Sequence, residues 1–106
     1  KIIVSFKDGH LELWNINSAK LIHKFEKVKF DGLPVISMCA APVVDIVAVG
    51  LIDGNVWLCD VKQDRKLFCL GHPKGTFPTS ISFRSSEQNC SQIAVGLSDG
   101  QIALWN

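Results

Sequence analysis

One 15-residue segment occurs three times in this chain, and no other feature constrains the fold as strongly. Each copy has an apolar run, an Asp-Gly pair and a second apolar run that ends in Trp-Asn or Cys-Asp. The copies are KIIVSFKDGHLELWN (1–15), IVAVGLIDGNVWLCD (46–60) and QIAVGLSDGQIALWN (92–106). Asp-Gly between two apolar runs is a strong short-range sign of a β-hairpin. The repeat therefore predicts three related hairpins, with successive Asp-Gly pairs 45 and 46 residues apart.

Further apolar runs separated by turns fill the rest of the chain. Besides the hairpin at 46–60, we predict strands at 1–6, 10–16, 20–25, 35–40, 66–70, 79–83, 93–97 and 101–105, with longer connections at 26–33, 71–78 and 84–91. No segment has a helical apolar period long enough for a helix. The runs IVAVGL and QIAVGL are apolar at nearly every position, which indicates that both faces of these strands are covered.

The repeat length selects one all-β architecture. Short strands at a period of roughly 40–45 residues are typical of β-propeller blades. We therefore expect a partial β-propeller of about two and a half four-stranded antiparallel blades, with a partial blade at 1–25, a complete blade at 34–70 and a partial blade at 79–106. Closure needs roughly four to eight blades, so we expect 1–106 to be a fragment of one propeller domain. Its open blade faces and edges predict aggregation unless the remainder or another chain covers them.

Net charge, the length of the apolar runs and the spacing of the cysteines argue against several classes of protein. The net charge of +1 provides no bulk attraction to nucleic acid or to an anionic membrane. No apolar run approaches the roughly 20 residues of a membrane span. The four cysteines, Cys39, Cys59, Cys69 and Cys90, contain no C-x-x-C pair. They favour small buried thiols in a reducing compartment over a zinc or disulfide framework.

The pairs Gly71-His72, Asp99-Gly100 and Trp105-Asn106 resemble the WD-repeat family, whose repeats begin near Gly-His and end in Trp-Asp. The resemblance implies a hydrogen-bonded structural tetrad, in which His72 joins an Asp and a Trp N–H and pins a loop. The matching positions in the last repeat are His72, Val95, Asp99 and Trp105, although Val95 cannot form a hydrogen bond. The resemblance also assigns Asp8 and Trp14 in the first repeat and Asp53 in the second, where Glu26-Lys27 and Cys59 replace the Gly-His and the Trp.

Longer segments are similar to the tandem-propeller WD-repeat proteins of the small-subunit processome. These segments are APVVDIVAVGLIDGNVWLCDVK, TSISFR and GHLELWNINSAKLIHKF. The similarity implies a non-catalytic scaffold for pre-rRNA processing and ribosome biogenesis in the nucleolus of the nucleus. Its partners would be other protein subunits, with RNA as a further contact, and neither a membrane nor a small-molecule substrate. The alternative is a WD-repeat adaptor of another complex, such as a ubiquitin-ligase substrate receptor or a trafficking scaffold.

We expect no catalytic, cofactor or metal site. His72, Asp99 and Ser98 suggest a nucleophilic triad, but the chain has no G-x-S-x-G turn, and a hairpin turn requires Asp-Gly in any case. His10, His23 and His72 lack the spacing of metal ligands. No G-x-G-x-x-G loop for a dinucleotide is present.

The longer connections are the expected partner-binding regions, because in this fold they share a face with the Asp-Gly turns. That face would present Lys7, Lys27, Lys29, Asp31, Lys74 and Phe77 to a peptide or an RNA backbone. The alternative is a solvated rim with Phe30 and Phe77 turned inward. For Trp57 we predict packing between blades, and the alternative is stacking on a base.

Overall fold

The computed structural model describes residues 1–84 and 92–106. It contains ten β-strands: β1 (Ile2–Ser5), β2 (Leu11–Asn15), β3 (Lys20–Lys24), β4 (Val35–Ala40), β5 (Ile46–Leu51), β6 (Val56–Asp60), β7 (Arg65–Leu70), β8 (Pro78–Phe83), β9 (Ile93–Leu97) and β10 (Ile102–Trp105). Most of the predicted loop at 84–91, including Cys90, lies outside the described residues. The ends of the strands differ from the predicted ones by at most one residue: β1, β2, β3 and β10 are shorter than predicted, whereas β7 and β8 begin one residue earlier, at Arg65 and Pro78. Proline is tolerated at the first position of a strand.

The strands form three antiparallel sheets in chain order, which confirms the expected all-β fold. The first sheet has the order β1-β2-β3, the second β4-β5-β6-β7 and the third β10-β9-β8. The three hairpins of the sequence repeat are β1-β2, β5-β6 and β9-β10. Each sheet is therefore a meander, as a propeller blade requires.

The backbone geometry of the three turns explains why each contains an Asp-Gly pair. Gly9, Gly54 and Gly100 have φ values of 87°, 97° and 88°, in the left-handed region that glycine adopts without strain. The preceding aspartate accepts a hydrogen bond from the amide two residues further on, at 3.0–3.1 Å in all three turns. Each pair thus combines a side-chain acceptor with a residue that tolerates a positive φ.

The core consists of two apolar clusters, one on each side of the second sheet. The cluster towards the first sheet includes Leu11, Phe25, Val49 and Cys59. The cluster towards the third sheet includes Ala48, Val56, Ile93, Val95 and Leu97. Alternate residues of β5 therefore enter opposite clusters, which explains why the run IVAVGL is continuously apolar.

Close contact between the second and third sheets occurs along β4, β5 and β8. The Ser37 hydroxyl on β4 donates a hydrogen bond to the Pro78 carbonyl on β8 over 2.8 Å. Gly50 lies opposite Ser37 in the β4-β5 register, and Gly96 lies opposite Ser80 in the β8-β9 register. The absent glycine side chains leave room for the two serine hydroxyls.

Candidate interaction surface

The longer connections are hydrogen-bonded to the Asp-Gly turns, and we call the surface that they form together the Asp-Gly end. In the connection between β3 and β4, the Phe30 and Gly32 amides donate to the carbonyls of Gly9 and Asp8, both over 2.8 Å. In the connection between β7 and β8, the Phe77 carbonyl accepts the Ser98 amide over 3.0 Å. The Phe77 amide donates in return to the Ser98 hydroxyl over 3.1 Å. The backbone of this surface is thus held to the sheets at several points.

The side chains expected at the Asp-Gly end divide into an exposed charged set and a more buried aromatic set. The residues Lys7, Lys27, Lys29, Asp31 and Lys74 are exposed. Phe77 is half-buried, and Phe30 is 4% exposed within the core cluster next to the first sheet. The surface therefore presents charged side chains. Phe30 packs in the core, and Phe77 is only partly available at the surface.

A chain of two hydrogen bonds through His72 joins the third sheet to the second Asp-Gly turn. The indole Nε1–H of Trp105 donates to His72 Nε2 over 3.1 Å, and the rings meet edge to face with centroids 5.6 Å apart. The opposite nitrogen, Nδ1, then carries the proton and donates to the Gly54 carbonyl over 2.7 Å. A neutral imidazole in this tautomer satisfies both contacts.

The WD-repeat resemblance implied a different partner for His72. Asp99 accepts the amide of Gln101 over 3.0 Å, as part of its own exposed turn. Val95 is fully buried in the apolar cluster. His72 meets a backbone carbonyl of the preceding repeat where the tetrad would supply the carboxylate of Asp99. With no hydroxyl at position 95, the tetrad network lacks the residue that would complete it.

Four hydrogen-bonded side chains form a line that runs from the first Asp-Gly turn into β2. A ring nitrogen of His10 meets a carboxylate oxygen of Asp8, and the other contacts Glu12 over 3.2 Å. Glu12 also accepts the Trp14 indole N–H over 2.9 Å. Hydrogen bonds from the His10 amide and ring lower the pKa of Asp8. Residues two apart share a face of a strand, so the alternation D-x-H-x-E-x-W contained the signal for this line.

Asp64 forms an anchor between the first two sheets that the sequence analysis missed. Its carboxylate accepts the backbone amides of Glu26, Lys27 and Val28 over 2.7–3.1 Å, and His23 Nε2 over 2.9 Å. Burial by itself would raise the pKa of Asp64, but the three amides and the imidazole together lower it to about 2. The contacts span 36 to 41 residues, so local sequence patterns carry no sign of them.

Trp57 packs between the first and second sheets, against Phe30 at a centroid distance of 6.5 Å. The Lys66 ammonium lies over both rings, 4.6 Å from the Phe30 centroid and 5.1 Å from that of Trp57. Cys59 is fully buried on the same strand. Burial raises the pKa of the Cys59 thiol to about 12, with Lys66 acting weakly in the opposite direction.

The remaining chemistry of the described residues is limited. The Ser98 hydroxyl accepts the Phe77 amide, and His72 is committed to Trp105 and Gly54, so these groups do not form a nucleophile–base pair. Across 1–84 and 92–106, no three His, Cys, Asp or Glu side chains are grouped to hold a metal ion. Nor do these ranges contain a helix with the length and apolarity to cross a membrane.

Three adjacent antiparallel meanders with Asp-Gly hairpins at the same end define part of a WD-type β-propeller. Along residues 1–106 the sequence matches the family model described as the WDR36/Utp21 first β-propeller, and the chain belongs to this family.

Curated relatives agree with this assignment. The chain is 36% identical to human WD repeat-containing protein 36 over its full length, which covers 11% of that protein. It is 39% identical over 59% of its length to the U3 small nucleolar RNA-associated protein 21 homolog of Schizosaccharomyces pombe, covering 7% of that protein. The U3 small nucleolar RNA-associated protein 21 of Saccharomyces cerevisiae is 27% identical over the full chain, which covers 10% of it. The chain thus spans about a tenth of the length of these relatives.

A solved structure supports the fold alone. The crystal structure of the computationally designed Ika4 protein aligns with 97% of this chain and 57% of its own, with a TM-score of 0.71 and 20% sequence identity.

Proposed function

We propose that this chain is part of a non-catalytic propeller scaffold that assembles protein subunits of the small-subunit processome during pre-rRNA processing in the nucleolus. The observation that carries the proposal is the match of the whole chain to the WDR36/Utp21 family. Two of the relatives are named as U3 small nucleolar RNA-associated proteins. The assembled complex supplies the chemistry of rRNA processing, and this chain supplies a surface.

The proposed mechanism is display of loops on a rigid frame. The sheets fix the turns, and the turns hold the longer connections through backbone hydrogen bonds. The first turn presents Lys7 to solvent, and the connections present Lys27, Lys29 and Lys74. Lysines on a fixed backbone suit acidic protein segments or phosphate groups, which they contact without base specificity. RNA contact at this surface is part of the proposal.

The test is purification of the tagged full-length protein, followed by identification of its associated proteins and RNA. We expect processome subunits, pre-rRNA and a box C/D small nucleolar RNA. The variant Lys27→Glu/Lys29→Glu should recover less of them. The control Lys20→Glu reverses an exposed charge at the start of β3, away from the Asp-Gly end, and should recover wild-type amounts. Recovery of ubiquitin ligases or vesicle coats without RNA would contradict the proposal.

A further inference from the structure

The imidazole of His10 lies between two carboxylates, those of Asp8 and Glu12, and we call these three side chains the first-turn clasp. The ring nitrogen Nδ1 meets a carboxylate oxygen of Asp8, and Nε2 lies 3.2 Å from Glu12 Oε2. The other oxygen of Glu12 accepts the Trp14 indole N–H. Both partners of the imidazole are therefore acceptors, because an ionised carboxylate has no proton to donate.

The number of protons on His10 decides how many of these contacts are hydrogen bonds. An imidazolium has two N–H groups and donates to both carboxylates, whereas a neutral imidazole has one and turns a lone pair towards the other carboxylate. His72 is in the opposite situation, because it accepts the Trp105 indole N–H and donates to the Gly54 carbonyl. The partners of His72 thus suit a neutral ring, and those of His10 suit a cation.

The surroundings of the His10 ring also suit a cation. Phe6 stacks on it, with ring centroids 4.2 Å apart and an angle of 2° between the planes, and an aromatic face attracts positive charge. The Glu12 side chain is only 15% exposed, so water compensates its carboxylate weakly. The hollow beside His10 is lined by further charged side chains, namely Lys24, Glu26, Lys29 and Asp31. Two of these are positive and two negative, which leaves Asp8 and Glu12 as the charges in direct contact with the ring.

The clasp acts on the turn that holds the first long connection. The carbonyls of Asp8 and Gly9 accept the amides of Gly32 and Phe30, both over 2.8 Å. This connection, between β3 and β4, carries two of the exposed lysines of the Asp-Gly end. A change in the hold on the turn therefore reaches the backbone that presents these lysines.

We infer that His10 makes the first Asp-Gly turn sensitive to pH, because the clasp is complete with two protons on the imidazole and loses a hydrogen bond with one. Histidine side chains ordinarily titrate at about pH 6.5. The turn and the connection that it holds should therefore loosen as the pH rises through this region. On the acid side the clasp persists, since hydrogen bonds from the His10 amide and ring lower the pKa of Asp8 and keep its carboxylate ionised. The inference does not depend on the proposed scaffold function.

Hydrogen–deuterium exchange of the full-length protein, read by mass spectrometry over residues 28–33, measures this loosening at about pH 5.5 and about pH 8, on either side of the histidine range. The test variant is Glu12→Gln, whose amide can accept the Trp14 indole N–H and donate to a neutral imidazole. The control Glu26→Gln makes the same chemical change at the edge of the same hollow. Each variant is compared with the wild type at the same pH, which removes the pH dependence of the chemical exchange itself.

At about pH 5.5 we expect exchange in Glu12→Gln to be about fivefold faster than in the wild type, because the variant lacks the bond between imidazolium and carboxylate. At about pH 8 the ratio should be about one or lower, since the wild type has lost the same bond. His10→Gln should show the same acceleration at the lower pH only, and Glu26→Gln should match the wild type at both values. A ratio for Glu12→Gln that does not change with pH, or the same change in the Glu26→Gln control, would overturn the inference.

Discussion

The hydroxyl of Ser37 occupies the space that a side chain at Gly50 would need. A Cβ atom built on Gly50 meets this oxygen, lies 2.9 Å from Pro78 Cγ and lies 3.3 Å from Ile81 Cδ1. Ser37 is fixed in this place by its hydrogen bond to Pro78. Two residues of the second sheet thereby set the approach of the third.

Gly50→Ala should lower the free energy of unfolding by about 1–3 kcal/mol, the usual cost of adding a methyl group to a filled interior. Either the hydrogen bond between Ser37 and Pro78 breaks or the third sheet moves away. Urea denaturation of the longer propeller domain measures the effect. Gly71→Ala is the control, since its Cβ would meet Asn55 at an ordinary 3.7 Å. Equal stabilities of the two variants would contradict the steric account.

Asp64→Asn should destabilise the protein by about 2 kcal/mol at neutral pH, because an amide replaces a carboxylate that accepts three backbone N–H groups. Asp31→Asn is the control: Asp31 is exposed, and the change should stay within about 0.5 kcal/mol. Denaturant titrations of both variants measure the difference. A loss as small as that of the control would show that the anchor contributes little.

The same anchor predicts a dependence of stability on pH. The pKa of Asp64 is lowered from 3.8 to about 2 in the folded protein, so its contribution is complete above the unfolded pKa and is lost as the pH falls towards the folded one. The stability difference between the wild type and Asp64→Asn should therefore shrink between about pH 4 and pH 2. A difference that stays constant over this range would contradict the assignment.

Trp105→Phe should lower the free energy of unfolding by about 1 kcal/mol, because the imidazole of His72 loses its hydrogen bond from the indole N–H. In a double-mutant cycle with His72→Ala, we expect a coupling free energy of about 1 kcal/mol. Trp14→Phe removes an indole bond to Glu12 on the first sheet, so its effect should add to that of His72→Ala without coupling. If the effects of Trp105→Phe and His72→Ala on the free energy of unfolding were additive, that result would contradict the hydrogen bond between the two side chains.

The 106-residue chain in isolation should self-associate, since Ile102 and Leu104 on β10 are 72% and 68% exposed. Ile102→Glu/Leu104→Glu should lower the mean mass in sedimentation, and the charge control Lys20→Glu should not. A wild-type chain that sediments as a monomer would refute this prediction.

The hairpins and their order could be predicted because they depend on local and periodic signals. Asp-Gly at one spacing, apolar runs and turn residues determine β1-β2, β5-β6 and β9-β10. The partners of the polar groups could not be predicted in the same way. Asp64 and the amides of residues 26–28 meet only through tertiary packing. Likewise, His72 bonds to the Gly54 carbonyl because the folded chain brings the second Asp-Gly turn next to the connection between β7 and β8.

The resemblance to WD repeats predicted where a histidine and a tryptophan would matter but implied the wrong acceptor for His72. Val95 was the sign of this departure, since it removes the hydroxyl from the expected network. The exposure of Val43 and Val44 was not predicted either, because apolar residues in a short connection carry no local sign of the direction in which they face. Whether a side chain is buried depends on how the sheets pack together, and a short segment of sequence does not specify that packing.

The alkylation rate of Cys59 measures how often the second sheet opens. A thiol that is fully buried, with a pKa of about 12, is almost never a thiolate at neutral pH and is out of reach of an alkylating reagent. It reacts only during the intervals in which the sheet separates from its neighbour, so its alkylation rate counts those intervals. Cys69 is exposed on the next strand and supplies the reference rate in the same molecule. The protein can thus report, without any engineered label, how often its blades part inside an intact assembly.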